Sequence, residues 1–302
     1  MMDPSPPPPA QSAQRGALFD GGFLRRLERL TLPARLDAGG AGGAPSARAR
    51  GLGDSLEFAD HRAYSPGDDR RLVDWACYAR SRKLLVRRFH RHPSAPLGVW
   101  IDASASMGAD GGRCFDYARQ LAVALALVGV RSGRGVRVGT YADTPGPATS
   151  LAATSQMGPL MSALAGVQAG GRADLAGCLR EMAVAVGAGQ TIIISDLLEG
   201  DDLSQAIGRL VRPRREVCVI HLHTPCTLGT GSWRLVGAEG GTVDVELTDE
   251  AVRQYEQASA DWRSRCRREC IGAGANYAEA SIDWPLERLM LGELRWSGLL
   301  SG

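Results

Sequence analysis

Lysine is almost absent: of 35 basic residues only Lys83 is a lysine, the rest being arginine. Alongside abundant Ala and Gly, that skew reads as a compositional bias rather than a phosphate-binding device. A net charge of +2 leaves no excess that calls for nucleic acid or a membrane surface. No apolar run approaches the roughly 20 residues of a membrane span; the most apolar window, 121–130, falls far short, so no integral membrane segment is expected. The first 14 residues are rich in Pro and Ser and carry no apolar stretch of the kind a secretory signal needs. The seven cysteines are scattered and odd in number, which argues against a disulfide framework and for a reducing, cytoplasmic setting. The chain has no G-x-x-x-x-G-K-[ST], so any ATP hydrolysis would come from a partner. G-x-S-x-G is missing too.

What is present is enough for a core: 302 residues, 44% apolar and 23% charged. Residues 1–16 read as a disordered tail. The next stretch, 17–50, reads as a short amphipathic helix over 17–32 followed by a Gly- and Ala-rich linker over 38–50. In that helix Leu18, Phe23, Leu24, Leu27 and Leu30 fall near helical spacing. Residues 51–96 form a module dense in charge and aromatics. From 97 to 302 short apolar strands alternate with amphipathic helices. Strands are expected at 97–101, 136–141, 191–194, 217–222 and 242–247, and helices at 114–130, 157–164, 174–186 and 203–211. A long helix is expected to start at Thr248-Asp249-Glu250, a hydroxyl N-cap followed by acids. This pattern predicts an α/β fold: a Rossmann-like, mostly parallel sheet with helices on both faces, and an N-terminal extension module.

In such sheets ligands sit at the carboxyl ends of the strands, at a topological switch point. Asp102 follows one apolar strand and Asp196 another, with Ser104 and Ser106 spaced by two after Asp102. Two carboxylates and two hydroxyls arriving at one sheet edge are the oxygen donors a hard divalent cation takes. The competing structural reading makes Asp102 a loop-turn residue and Asp196 a helix cap.

Asp102-Ala103-Ser104-Ala105-Ser106 resembles the DxSxS element of the metal-ion-dependent adhesion site of von Willebrand factor type A domains. Ser195-Asp196 resembles the later acidic element of that site. The run from Tyr64 to Arg80, YSPGDDRRLVDWACYAR, preceded by Arg62, is more specific. It resembles the signature of the DUF58 family, approximately R-x-Y-x-x-G-D-D-x-R-x-I-D-W-x-x-x-A-R, and the similarity runs from about Gly51 to near the C-terminus. The resemblance implies a von Willebrand A-like domain behind a family-specific segment. It also implies a non-enzymatic adaptor that grips a partner's carboxylate through a Mg²⁺ (or Mn²⁺) ion held by Asp102, Ser104, Ser106 and Asp196. Such proteins are commonly encoded beside MoxR-type AAA+ ATPases, so the implied partner is a MoxR-like ATPase or its client. Many relatives carry N-terminal transmembrane helices, which are not seen here. The adhesion site also takes a Thr from a G-G-T-D-L loop, whereas this chain reads Gly170-Gly171-Arg172-Ala173-Asp174-Leu175. Water can fill the missing hydroxyl's place, since Mg²⁺ keeps several waters; alternatively the Arg172 guanidinium neutralises the acids with no ion.

The signature residues Arg62, Tyr64, Gly67, Asp68, Asp69, Arg70, Asp74, Trp75 and Arg80 admit two readings. One is a salt-bridged extension in which Gly67-Asp68-Asp69 supplies a turn and Trp75 and Tyr78 share a buried helix face. The other is a partner-binding surface. The basic stretch 81–92 alternates Leu84, Leu85, Val86 and Phe89 with its charges, as a strand with a solvated face does. The alternative function is a metal-dependent hydrolase or phosphatase in the same cleft, but no base stands at a useful spacing from Ser104 or Ser106. His221 and His223 lack a third ligand at metal spacing. Of Cys266 and Cys270, one packed and one partly exposed thiol is expected.

Overall fold

The computed structural model describes residues 18–31, 35–36, 57–64, 73–90, 94–178, 182, 189–198, 203–212, 215–225, 229–237, 241–294 and 300–301. The tail 1–16, most of the linker and Gly67, Asp68, Asp69 and Arg70 lie outside these residues, as does the Arg62 side chain. The chain divides into two units, Gly42–Ser94 and the remainder.

In chain order the elements are α1 (Gly21–Thr31), β1 (Arg35–Leu36), β2 (Glu57–Ala63), α2 (Trp75–Ser81), β3 (Leu85–His90) and β4 (Ser94–Asp102). Then come α3 (Ala105–Gly108), α4 (Arg113–Arg131), β5 (Arg134–Tyr141), β6 (Pro145–Leu151), α5 (Met157–Ala165) and β7 (Gly189–Ser195). The chain continues through α6 (Leu203–Leu210), β8 (Arg215–His223), β9 (Gly231–Val236), β10 (Thr242–Leu247), α7 (Asp249–Gly272) and β11 (Asn276–Ser281). A short helix, α8 (Leu286–Arg288), and β12 (Leu300–Ser301) close it.

The fold is α/β with a six-stranded sheet in the order β11-β8-β7-β4-β5-β6. β11, β8, β7 and β4 run parallel to one another, and β6 lies antiparallel to β5 at one edge. Every residue of β7 is buried, as a strand covered on both faces must be. On one face Val99, Ile101, Ile192, Ile194 and Ile220 pack with α4 and α5. On the other Trp100, Ile193, Val217 and Val219 pack with Ile207 of α6 and Cys266 and Cys270 of α7. From β4 the chain passes to β5 and β6 on one side, then returns to build β7, β8 and β11 on the other. The reversal puts the switch point between β4 and β7.

Most expected strands and helices stand within a few residues of their predicted bounds. The strand at 242–247 forms, but outside the main sheet. It is β10, paired antiparallel with β9 in a separate hairpin. Its pattern Thr-Val-Asp-Val-Glu-Leu alternates, whereas central parallel strands are apolar throughout. The sheet's place is taken by β11, Asn-Tyr-Ala-Glu-Ala-Ser, whose small residues do not register as an apolar run. Among the described side chains of α1, Phe23 and Leu27 are buried while Leu24 is exposed. Of 174–186, residues 175–178 and 182 are helical and the rest lie outside the described residues. The long helix starts as expected, with Thr248 Oγ1 accepting the Ala251 N–H at 3.2 Å.

The other unit contains the antiparallel pair β2–β3 and α2. The stretch after Arg82 is a strand, as its alternation predicts, with Leu84 exposed just before it and Val86 buried.

Candidate functional site

Side chains alternate along a strand. Val99 and Ile101 face α4, so Trp100 and then Asp102 face the α6–α7 side. Along β7 the same alternation puts Ile193 and then Ser195 on that side. Ile101 pairs with Ile194 across the strands, so Asp102 arrives beside Ser195. The contact is direct: Ser195 Oγ donates to Asp102 Oδ2 at 2.6 Å. The other carboxylate oxygen, Oδ1, accepts the Ser104 N–H at 2.9 Å. Asp102 is 1% exposed.

Beyond the strand end, Ser104 Oγ and Ser106 Oγ lie 3.0 Å apart. Their loop is laced to two others. The Ala103 N–H donates to the Tyr141 carbonyl at 2.7 Å. The Gly170 N–H donates to the Ala103 carbonyl at 2.7 Å, and the Ala105 N–H to the Gly171 carbonyl at 2.9 Å. Gly171 adopts φ 74°, a left-handed turn that glycine makes without strain. The segment Gly170-Gly171 is therefore stitched against the Asp102–Ser106 loop, with Ala173 half-buried and Arg172 exposed. Asp174 donates its N–H to the Ala142 carbonyl at 2.8 Å, and its Oδ1 accepts the Gly177 N–H at 2.7 Å, opening the next helix.

Asp196 is buried, and its Oδ1 accepts the Leu198 N–H at 3.2 Å. Both acids bear on the same buried neighbours. The Tyr141 hydroxyl is pushed well above its usual range by burial and then by Asp102, with Asp196 adding less. The Cys114 thiol is pushed up by burial, then by Asp196, Asp110 and Asp102. Asp102 and Asp196 thus share one end of the sheet. Asp110 was not singled out from sequence. It caps α4, both its oxygens lying 3.1 Å from the Cys114 N–H, and accepts from Thr224 Oγ1 at 3.3 Å. Its position just before the helix was the available signal. Ser195 was read only as the residue before the acid; its role on Asp102 depends on register.

A cavity of about 810 Å³ reaches Asp102, Ser195 and Tyr141 from the α6–α7 side, with Arg172, Ala173 and Trp262 also in its lining. Among the described residues, no group of three His, Cys, Asp or Glu could hold a metal. A cation here must draw on hydroxyls, and the donors present are of that kind. Carboxylate oxygens and two adjacent serine hydroxyls fit a hard divalent ion better than a soft one.

The histidines and thiols have structural partners. His221 Nδ1 lies 2.7 Å from the Tyr277 hydroxyl, and the ring also hydrogen-bonds the Asp196 main chain. His223 pairs with Glu279 at 3.5 Å, and Arg263 joins Glu279 at 2.9 Å. Cys266 and Cys270 are both buried, against the expectation of one exposed thiol, since a spacing of four puts both on the stripe of α7 that faces the sheet. Burial holds their thiols up at about 11 and about 12.

Of the signature residues, Asp74 is an N-cap: its Oδ1 accepts the Cys77 N–H at 2.9 Å at the start of α2. Trp75 is 60% exposed rather than buried, because it holds the first helical position, while its ring meets Tyr78 edge-on at 6.2 Å. Tyr64 donates its N–H to the Leu84 carbonyl at 3.0 Å, and Arg80 is exposed.

The sequence pattern of the family described as "Protein of unknown function DUF58" matches residues 60–265. Two relatives, the uncharacterized proteins Mb1516 of Mycobacterium bovis and Rv1480 of Mycobacterium tuberculosis, are each 28% identical over 264 residues, 83% of this chain and 83% of theirs. Among solved structures, the conserved hypothetical protein BatB from Bacteroides thetaiotaomicron is similar with a TM-score of 0.45 and 12% identity, covering 67% of this chain and 98% of that one. An aerotolerance-related membrane protein from Bacteroides fragilis gives a TM-score of 0.42 and 13% identity, covering 67% of this chain and 99% of that one. In the present chain no helix among the described residues is long and apolar enough to cross a membrane.

Proposed function

The chain belongs to the DUF58 family, and from that premise we propose that it is a non-enzymatic interaction module with a von Willebrand A-like domain. Asp102, Ser104, Ser106 and Asp196 hold Mg²⁺ or Mn²⁺, and a carboxylate from a partner completes the ion's coordination. The ion supplies the attraction for that carboxylate; the protein supplies the donors and their setting. The observation that carries this reading is the Asp102 carboxylate, held at the switch point by Ser195 and the Ser104 amide beside two hydroxyls 3.0 Å apart. Ala173 offers no hydroxyl, so water takes that position and the affinity is modest. Binding to a partner rather than bond cleavage is favoured by the state of His221. It lies across from Ser195 on β8, but its ring is engaged by Tyr277 and the Asp196 main chain and is held neutral, with its pKa pushed down to about 4.

The partner we propose is a MoxR-type AAA+ ATPase or a client of one, met in the cytoplasm. Calorimetric titration with Mg²⁺ and Mn²⁺ tests the ion. Heat of binding is expected for the wild type and its loss in Asp102→Ala and Asp196→Ala; a wild type that takes up neither metal overturns the reading. Retention of a purified MoxR-type ATPase is expected to need Mg²⁺ and to fail in chelator. Retention that is equal in both overturns the role of the ion in the contact.

A further inference from the structure

We infer that Ser195 is the positioning residue that sets the Asp102 carboxylate toward the cation; the inference rests on the ion reading above. The hydrogen-bond capacities around Ser195 leave one arrangement. A serine hydroxyl has one proton to give and two lone pairs to fill. The ionised Asp102 carboxylate can only accept, so the Ser195 proton goes to Oδ2, at 2.6 Å. The Leu197 main-chain N–H can only donate, and it fills one Ser195 lone pair at 2.9 Å. The result is a hydroxyl fixed by the Leu197 amide, with its proton pointed at the carboxylate.

Burial makes this arrangement firm. Asp102 is 1% exposed and Ser195 2%, so bulk water competes little for the bond between them. In such surroundings successive hydrogen bonds polarise one another. The backbone ties the same two residues to the site. Next to Asp102, the Ala103 N–H donates to the Tyr141 carbonyl at 2.7 Å, and Ser195 is the last residue of β7, next to Asp196. With Oδ2 taken by Ser195 and Oδ1 by the Ser104 amide, the carboxylate plane has no freedom to turn. A carboxylate oxygen has two lone pairs, so one hydrogen bond to it does not bar an ion. Ser195 does not belong to the DxSxS element and is not proposed to touch the cation. It acts through Asp102.

Partners that orient a metal-binding carboxylate typically contribute 10–100-fold to metal affinity. The test is Mg²⁺ and Mn²⁺ titration of the full chain as wild type, Ser195→Ala and Ser195→Thr, with the melting temperature of each recorded in chelator. Ser195→Ala is expected to bind roughly 10–100-fold more weakly. Ser195→Thr, which keeps the hydroxyl, is expected to regain most of the affinity. Recovery by threonine is the readout that a purely structural serine would not produce. Ser195→Ala binding as tightly as wild type, or Ser195→Thr binding as weakly as Ser195→Ala, overturns the inference while leaving the ion reading intact. A wild type without metal affinity overturns the ion reading itself. If Ser195→Ala does not fold, Ser195→Gly takes its place: affinity equal to wild type overturns the inference.

Discussion

A carboxylate as buried as Asp102 survives only because both of its oxygens are met; an unpaired polar group in such a place costs about 1–3 kcal/mol or more. That requirement explains why the strand ends where it does, with a serine on the next strand and an amide two residues on. Close packing around β4 sets a second demand. A Cβ on Gly139 would lie 2.4 Å from Trp100 Cζ3 and 2.8 Å from Cε3. Trp100 is 2% exposed and has nowhere to go. Gly139→Ala is therefore expected to destabilise the protein by about 1–3 kcal/mol, the range for overpacking, read as a lower urea midpoint; an unchanged midpoint would refute the tight fit. At this scale Asp102, Ser104, Ser106 and Asp196 were legible as chemistry. The Ser195–Asp102 bond was not, because it depends on a register between residues 93 positions apart.

At the scale of elements, local rules carried far. Thr248 was read as an N-cap from its hydroxyl and the acids behind it, and it caps α7. Asp74 carries a role that its charge does not announce. It was read with Arg62, Arg70 and Arg80 as part of a charge net, and its side chain also caps the seven-residue α2. Asp74→Ala is expected to cost about 1 kcal/mol, with Asp74→Asn restoring most of it, since asparagine caps as well as aspartate does without the charge. Comparing the two variants by thermal unfolding separates cap from ion pair: if asparagine is no better than alanine, charge is what matters. The β9–β10 hairpin marks where element rules stop. Its alternation announces a strand, but whether a strand enters the main sheet depends on what covers its faces, and Trp233, Leu235 and Val243 of this hairpin are exposed.

For the whole molecule, the buried polar row on the α6–α7 side of the sheet ties stability to pH. Burial pushes His221 down to about 4 from an ordinary 6.5, with His223 and Arg263 adding to the effect and the Asp196 main chain opposing it. The unfolded chain takes a proton below pH 6.5 that the folded protein refuses until about pH 4. The associated stability is complete above the upper value and drains away between the two as pH falls, amounting to roughly 3 kcal/mol. Urea unfolding at pH 7 and pH 4.5 should show that loss in the wild type and a flatter dependence in His221→Gln; equal slopes would rule His221 out as the source. The alternation of apolar strands with amphipathic helices was enough by itself to determine an α/β sheet covered on both faces. The reason is that strand and helix periods, and the run of isoleucines in β7, are properties of consecutive residues. The same locality put Asp102 and Asp196 at strand ends. Strand order, the switch point between β4 and β7, and the choice of β11 over β10 for the edge of the sheet were decided only in the tertiary structure. So was the meeting of Tyr141, Ser195 and Asp102, since which strands become neighbours is settled by packing across the whole core and not by any one segment.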